Sequence, residues 1–183
     1  MNPLADTNTI ISTNRIEKQV KSSSRKPFKK LGFTAMETAE IVIALKKLMA
    51  NYQVYYHKMR NKHWNIEGTD FFELHQEFEN EYNKVQERID IIAERIRVFG
   101  LKPALSIEET IEMSEIQQVK SNRMEATDMV HEVLKDFDIL HDKMLDVLNA
   151  SLEAGDNVTE QIITEFMRDL EKRNWMFTAW SKF

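Results

Sequence analysis

The sequence predicts an all-α protein built as a four-helix bundle, with a short helix in the crossover connection between its two halves. The 183 residues include only four glycines and three prolines, so long helices are rarely interrupted. Apolar residues recur every three or four positions in four long segments, the pattern of helices that face a core. The length suits one domain with a sizeable hydrophobic interior.

Each predicted helix starts at a capping pair, a short polar residue followed three positions later by glutamate. The long helices are expected over 34–64, over 70–99, from 122 to Gly155 and from 157 onwards, with a short helix from 106. Two helical hairpins joined by a long connection describe a ferritin-like four-helix bundle. The capping pairs are Thr34 with Glu37, Asp70 with Glu73, Ser106 with Glu109, Asn122 with Glu125, and Asn157 with Glu160.

The composition limits the chemistry that the chain can perform. There is no cysteine, so any metal must be held by histidine and carboxylates, a ligand set that suits iron or manganese as well as zinc. The N-terminus lacks the apolar core of a signal peptide, and no apolar run approaches the length of a membrane span. We therefore expect a cytoplasmic protein with no membrane partner.

A basic N-terminal arm precedes an acidic body. Residues 1–30 carry seven basic and two acidic side chains, a net charge of +5, which leaves −10 for residues 31–183 within the total of −5. The arm lacks sustained apolar periodicity, so we expect a mobile segment outside the bundle domain, 31–183. It is either a solubilising tail or a flexible polycation that binds DNA phosphates, with avidity if the arm is repeated around an oligomer. The candidate DNA-binding residues are Arg15, Lys18, Lys21, Arg25, Lys26, Lys29 and Lys30.

Four potential metal ligands share one face of the second helix, within about 100° of one another. They are His75, Glu79, Asp90 and Glu94. Glu79 and Asp90 lie about 16 Å apart along the helix axis, so one ion cannot reach both. However, the outer pair and the inner pair of ligands have the same midpoint, between positions 84 and 85. Two copies of the helix packed antiparallel about a two-fold axis there would form two identical sites, each completed only in the oligomer.

His63 adds a fifth potential ligand, just before the turn that leads to the second helix. A lone histidine or a polar pair four residues apart is usually a packed or solvated feature, but the shared face and the common midpoint favour metal binding here. The neighbouring Trp64 is either a core aromatic or a side chain that intercepts oxidising equivalents beside a redox metal. Arg60 forms either an ordinary surface ion pair or a pair with a site carboxylate.

Two further pairs have the spacing of iron ligands in carboxylate bundles. These are Asp128 with His131, and Asp138 with His141. That kind of site needs partners on other helices, and the fourth predicted helix contains no histidine. We interpret both pairs as surface features.

The residues around the candidate ligands form a recognisable run. It contains His63-Trp64-Asn65, Gly68, Phe71, Leu74-His75, Phe78, Tyr82, Asp90, Glu94-Arg95 and Gly100. This run resembles the signature of the Dps proteins, the DNA-binding proteins from starved cells. Together with the four-helix layout, the resemblance extends over about residues 34–180.

The resemblance implies a dodecameric cage with ferroxidase sites at its two-fold interfaces. Such sites use hydrogen peroxide to oxidise Fe(II), and the ferric mineral is stored inside the cage. By position, the catalytic iron ligands would be His63, His75 and Glu79 of one subunit with Asp90 and Glu94 of its neighbour. Cages of this family admit iron through acidic pores at three-fold axes, for which Asp156 and Glu160 are the candidates. Simple helix-start electrostatics is the alternative role for these two carboxylates.

The sequence leaves more than one function open. The favoured one is an iron-oxidising, iron-storing cage enzyme that protects DNA from oxidative damage and binds it without sequence preference. Its rival is a structural DNA-compacting protein that does not turn over iron. A di-iron oxidase with its site inside one bundle is disfavoured because the fourth helix lacks the ligands. The complete ligand set favours the first function.

Overall fold

The computed structural model of the protein describes residues 32–33, 35–103, 105–121 and 124–182. Over these residues the chain is all-α, as the sequence predicts, and the bundle forms a unit of its own from Ala35 onwards. The predicted arm, residues 1–30, lies outside the described residues. The helices are α1 (Ala35–Asn65), α2 (Phe71–Val98), α3 (Ile107–Met113), α4 (Ala126–Ala154) and α5 (Asn157–Trp180). None of these helices has the length and apolar character that crossing a membrane requires.

Each of the four long helices runs antiparallel to both of its neighbours. α1 and α2 form one hairpin, and α4 and α5 form the other. α1 also packs on α4, where the rings of Tyr55 and Phe137 lie 5.9 Å apart between centroids. α2 faces α5, where Phe78 stacks on Phe177 at 6.3 Å. The chain must therefore return along the bundle between α2 and α4, and α3 lies in this connection, which confirms the predicted crossover.

Two helix ends follow the prediction closely. At the start of α3 the Ser106 hydroxyl accepts a hydrogen bond from the Glu109 backbone N–H at 3.2 Å, and the Glu109 carboxylate accepts one from the Ser106 N–H at 2.8 Å. This is the reciprocal capping box. Gly155 ends α4 in the left-handed conformation, with φ of 70°, which side chains with a Cβ adopt only at a cost.

Of two other predicted starts, that of α2 lies at the predicted residue but lacks the predicted capping hydrogen bond, and that of α4 is wrong. Asp70 stands at the N-cap position of α2 but makes no capping hydrogen bond, because its carboxylate accepts from the Thr69 hydroxyl at 3.0 Å instead. α4 begins at Ala126 with Glu125 as its N-cap, so the prediction that started this helix at Asn122 was too early. Asn122 itself, like the predicted cap Thr34, lies outside the described residues.

The start of α5 is also shifted by one residue. Asp156, rather than Asn157, is the N-cap, and its carboxylate accepts a hydrogen bond from the Thr159 N–H at 3.2 Å. The Thr159 hydroxyl and the Arg95 guanidinium bind the same carboxylate. A cap that also satisfies a buried arginine of α2 is favoured over one that faces solvent.

The bundle interior is mainly apolar. All four long helices contribute fully buried side chains to it, among them Ile41, Leu48, Phe78, Ile92, Leu140, Met144 and Ile163. Charged side chains are also buried among these apolar residues. Their pairing decides which carboxylates are free to bind a metal.

Candidate metal centre

The antiparallel α1–α2 hairpin brings His63 and His75 together. His63 lies in the last turn of α1 and His75 in the second turn of α2, on either side of the short connection. Their imidazole rings stack with centroids 3.8 Å apart and planes 25° apart. His63 is 8% exposed and His75 is half-buried, so the pair lies at the edge of the hairpin rather than in the core.

Each histidine is oriented by the backbone of the other. The His63 Nδ1–H donates to the His75 carbonyl oxygen at 2.8 Å, and the His75 Nδ1–H donates to the His63 carbonyl oxygen at 2.9 Å. A carbonyl oxygen can only accept, so the proton of each neutral ring must lie on Nδ1. Both Nε2 atoms are then left with a lone pair, as in histidines that bind a metal through Nε2.

Glu79 follows His75 by one helical turn and is held by its own neighbours. Its Oε1 accepts a hydrogen bond from the Tyr82 hydroxyl at 3.2 Å, and its Oε2 lies 3.5 Å from the Gln76 amide nitrogen. The ring of Tyr82 meets that of His63 edge-on at 5.4 Å. Burial, and then the adjacent Glu79 carboxylate, raise the pKa of the Tyr82 hydroxyl, so it stays a donor at neutral pH.

Asp90 and Glu94 lie on the same helix but far from the histidine pair. Both carboxylates are exposed, in the second half of α2. By helical rise, Asp90 is about 16 Å from Glu79 along the axis. Among the residues that the structure describes, no three His, Asp or Glu side chains of one chain are close enough to hold a metal. One chain therefore brings His63 and His75 together, with Glu79 one turn away, but does not bring Asp90 or Glu94 to them.

Trp64 is not the core aromatic that is the commoner role for tryptophan. Its indole is 59% exposed, beside the histidine pair. The guanidinium of Arg60 lies over its ring at 4.6 Å from the centroid, and over the Tyr56 ring at 5.4 Å. Arg60 thus packs between two aromatic rings, a cation–π arrangement that the sequence analysis did not foresee.

Several ion pairs lie within the otherwise apolar interior of the bundle. The Lys58 ammonium donates to Asp136 at 2.7 Å, which links α1 to α4. The Arg173 guanidinium donates to Glu81 at 3.0 Å, which links α5 to α2, and the Tyr55 hydroxyl lies 3.4 Å from the same carboxylate. These carboxylates are already paired with cations, so the geometry disfavours the third possibility, a di-iron site inside one bundle. These buried ion pairs were not predicted from the sequence, although a charged residue within an apolar stripe, such as Glu81 between Phe78 and Val85, is a visible signal of a buried charge.

The two pore candidates differ in their surroundings. Asp156 is 2% exposed, and its carboxylate accepts from the Arg95 guanidinium at 2.6 Å. Burial acts to raise the pKa of Asp156, but the hydrogen bonds from Arg95 and Thr159 outweigh it and leave the pKa below its ordinary value. Asp156 therefore holds the α4–α5 turn to α2 within its own subunit. Glu160 is half-buried in the first turn of α5, and its carboxylate accepts none of the described hydrogen bonds.

The remaining histidine pairs fit the interpretation as surface features. Asp128, His131 and Asp138 are exposed on α4, and His141 is half-buried. The candidate DNA-binding residues of the arm lie outside the described residues.

Comparison with known proteins places this geometry in a family. The ferritin-like domain family matches residues 43–182. General stress protein 20U of Bacillus subtilis is 33% identical over 77% of this chain and 97% of its own length. A DNA protection during starvation protein of Helicobacter pylori is 32% identical over 79% of this chain and 98% of its own length. The chain belongs to the Dps family of ferritin-like proteins.

Solved structures of the Dps family share the fold. The crystal structure of a Dps protein from Vibrio cholerae O1 matches with a TM-score of 0.80 and 34% identity, over 83% of this chain and 95% of that one. The Vibrio cholerae protein is described as a member of a broad superfamily of ferritin-like diiron-carboxylate proteins. The resemblance that the sequence analysis based on the run around His63 and His75 is confirmed, and so is the ferritin-like four-helix bundle.

Proposed function

We propose that this Dps-family protein oxidises Fe(II), preferably with hydrogen peroxide, and stores the ferric product inside a dodecameric cage. Iron removed in this way no longer reacts with peroxide near DNA, so the protein would protect DNA in the cytoplasm from oxidative damage. The observation that carries the proposal is the stacked pair of His63 and His75, with both Nε2 atoms free to bind.

Each iron site would be shared between two subunits. His63, His75 and Glu79 of one subunit would bind Fe(II) together with the two carboxylates, Asp90 and Glu94, of a second copy. The exposure of both carboxylates on α2 and the shared midpoint of the ligand pairs support this arrangement. A single chain lacks three clustered ligands over the described residues, so the proposed site needs the second copy.

The ligand set fits the chemistry. Neutral imidazoles and carboxylates hold Fe(II) while leaving coordination positions open for an oxidant. Two Fe(II) ions give one electron each to hydrogen peroxide, which takes up two protons and leaves as two water molecules. Oxidation in pairs therefore releases no hydroxyl radical. If an oxidising radical does form, the exposed indole of Trp64, next to His63, would give it one electron and so intercept it, and a Trp64→Phe protein would then release more radical.

Iron would enter the cage through acidic pores, for which Glu160 remains the better placed of the two candidates. Asp156 is occupied by Arg95 and Thr159 within one subunit.

The iron chemistry can be tested on the assembled full-length protein. Fe(II) is added without oxygen, hydrogen peroxide follows, and Fe(III) formation is recorded by absorbance. We expect faster oxidation than in buffer, and a loss of more than about tenfold in His63→Ala and in His75→Ala, since even residues behind the ligands are worth about 10–100-fold. His131→Ala, an exposed histidine of α4, is the matched control. Oxidation no faster than in buffer would reject the proposal and favour the rival, a DNA-compacting protein without iron turnover.

DNA binding through the basic arm is the second part of the proposal. It rests on the net charge of +5 over residues 1–30, and the sequence offers no base-reading motif. We therefore expect sequence-independent binding that weakens as salt is raised. A gel-shift comparison of the full chain with a chain that starts at Lys30 tests it. Equal binding by both proteins would reject the arm as the DNA contact.

A further inference from the structure

We propose that Tyr82 is a positioning residue, which fixes the Glu79 carboxylate so that one of its oxygens is presented to Fe(II). This inference rests on the proposed function, because Glu79 is a ligand only if the shared iron site exists. It assigns a role to a side chain that the sequence analysis treated only as part of a family signature.

The hydrogen bonds of Glu79 distinguish its two oxygens. The Tyr82 hydroxyl donates to Oε1 at 3.2 Å. Oε2 meets only the Gln76 amide among the described hydrogen bonds, at 3.5 Å, the limit of a hydrogen bond. The better bond therefore occupies Oε1, and Oε2 is the oxygen that a metal can take.

The phenol ring is itself held in place. It meets the His63 ring edge-on at 5.4 Å and 80°, and the Tyr56 ring edge-on at 6.0 Å and 86°. Edge-to-face packing of this kind restricts the ring on two sides. One side chain thus contacts two of the proposed ligands, His63 through its ring and Glu79 through its hydroxyl.

Glu79 needs such a partner more than a shorter carboxylate would. It is half-buried on α2 and has three rotatable side-chain bonds, whose freedom would be lost when a metal binds. Tyr82 lies three residues further along the same helix, so the two side chains meet without any help from a second subunit. The bond is therefore made before iron arrives, and the ordering cost at binding is lower.

The test uses Tyr82→Phe, which keeps the ring and removes only the hydroxyl. Co(II) serves as a probe of the metal-free, assembled full-length protein, because its visible absorption bands report the ligand geometry. We expect Co(II) binding to weaken by about tenfold, the low end for residues behind metal ligands, with a change in the absorption bands. In the oxidation assay the Fe(II) concentration for half-maximal rate should rise by a similar factor, with little change in the maximal rate.

Tyr56→Phe is the matched control. It removes a hydroxyl from the ring that packs on Tyr82, and among the described hydrogen bonds this hydroxyl makes none to Glu79. It should bind Co(II) like the wild type, and both variants should keep the cage size and the unfolding temperature. Equal Co(II) affinity in Tyr82→Phe and the wild type would overturn the role of Tyr82 alone, as would an equal loss in Tyr56→Phe. Failure of the wild-type protein both to bind Co(II) and to accelerate oxidation would overturn the proposed function itself.

Discussion

At the scale of single residues, Asn51 shows how one buried side chain can fix a connection. Asn51 is completely buried in α1, and its Oδ1 accepts hydrogen bonds from the Ser114 hydroxyl at 3.2 Å and from the backbone N–H groups of Glu115 and Ile116 at 3.0 and 3.1 Å. These donors follow α3 directly, where no regular helix satisfies them. Asn51 therefore attaches the crossover connection to the bundle.

Replacing Asn51 with Leu, which has a similar shape, should lower the free energy of unfolding by about 2–3 kcal/mol, because the backbone N–H groups of Glu115 and Ile116 then lose their acceptor, while the Ser114 hydroxyl still donates to the Ile116 carbonyl at 3.2 Å. Thermal unfolding at a fixed protein concentration measures the loss. Asn61→Leu is the control, since the half-buried Asn61 amide donates only to the His57 carbonyl of its own helix among the described hydrogen bonds. Similar losses at both positions would contradict the anchoring role.

Lys62 is the opposite case, a buried charge without a described hydrogen-bond acceptor. Its side chain is fully buried in α1 and its Nζ has no hydrogen-bond partner in the structure. Burial, and then the neighbouring Lys58, lower the pKa of Lys62 from 10.5 to about 8. The folded state thus binds this proton less tightly than the unfolded state does.

The sign of the resulting pH dependence follows from linkage. Below about pH 8 both the folded and the unfolded state carry the proton, and the buried charge of Lys62 then destabilises the folded protein by at most about 3 kcal/mol. As the pH rises from about 8 towards 10.5, this destabilisation falls towards zero and the free energy of unfolding rises. Lys62→Met should therefore raise the free energy of unfolding of the metal-free protein at pH 7, and this difference from the wild type should be smaller at pH 10. Urea unfolding at the two pH values tests this, and an advantage that is the same at both would refute it.

At the scale of helices, the contact between α2 and α5 is made by charged side chains at regular spacing. Glu81, Arg88 and Arg95 recur every seven residues, so they share one buried face of α2. Their partners on α5 and its cap occur in reverse order, Arg173, Asp169 and Asp156. Because the sign of the charge changes along each helix, a slip of one turn would place Glu81 against Asp169. The ion pairs thus specify the antiparallel register.

Removing one partner of such an ion pair should destabilise the protein more than replacing both partners with apolar residues. Arg173→Met leaves the Glu81 carboxylate buried without its cation and should destabilise the protein by about 3–5 kcal/mol, whereas the double variant with Glu81→Leu should regain most of that loss. Thermal unfolding of the four proteins in this cycle measures the coupling. Arg168→Met is the control, because its exposed guanidinium pairs with Glu165 across 3.8 Å. A double variant as unstable as the sum of its parts would show that the pair does not act as a unit.

At the scale of the whole molecule, the proposed iron site predicts complementation between subunits. Cages made only of His75→Ala subunits, or only of Asp90→Ala subunits, should be inactive. In randomly mixed cages half of the two-fold dimers are mixed, and each mixed dimer keeps one intact site of two, so about a quarter of the wild-type oxidation rate should return. Co-refolding equal amounts of the two variants and measuring peroxide-dependent oxidation tests this. Mixed cages as inactive as the separate variants would place both residues in the same subunit's site.

Part of the candidate metal site could be predicted from the sequence. Helical spacing places His75, Glu79, Asp90 and Glu94 on one face of α2, and the short connection after α1 places His63 near His75. The structure bears out the approach of the two histidines. It adds what spacing cannot give, namely the exchange of Nδ1–H hydrogen bonds between the two backbones and the bond from Tyr82 to Glu79, because these depend on the distance and orientation of atoms in neighbouring turns.

The sequence by itself determined the number, type and approximate length of the helices and their crossover, because apolar periodicity and the scarcity of glycine and proline act locally along the chain. A charged residue within an apolar stripe, such as Glu81, is visible in the sequence, but only the tertiary structure decided which partner each buried polar residue has. Asp156 rather than Asn157 caps α5 because Arg95 reaches it from another helix, and Lys58, Glu81 and Arg173 are tolerated inside the bundle because opposite charges meet them there. Such pairings join residues about 60–90 positions apart, and no local pattern in the chain records them.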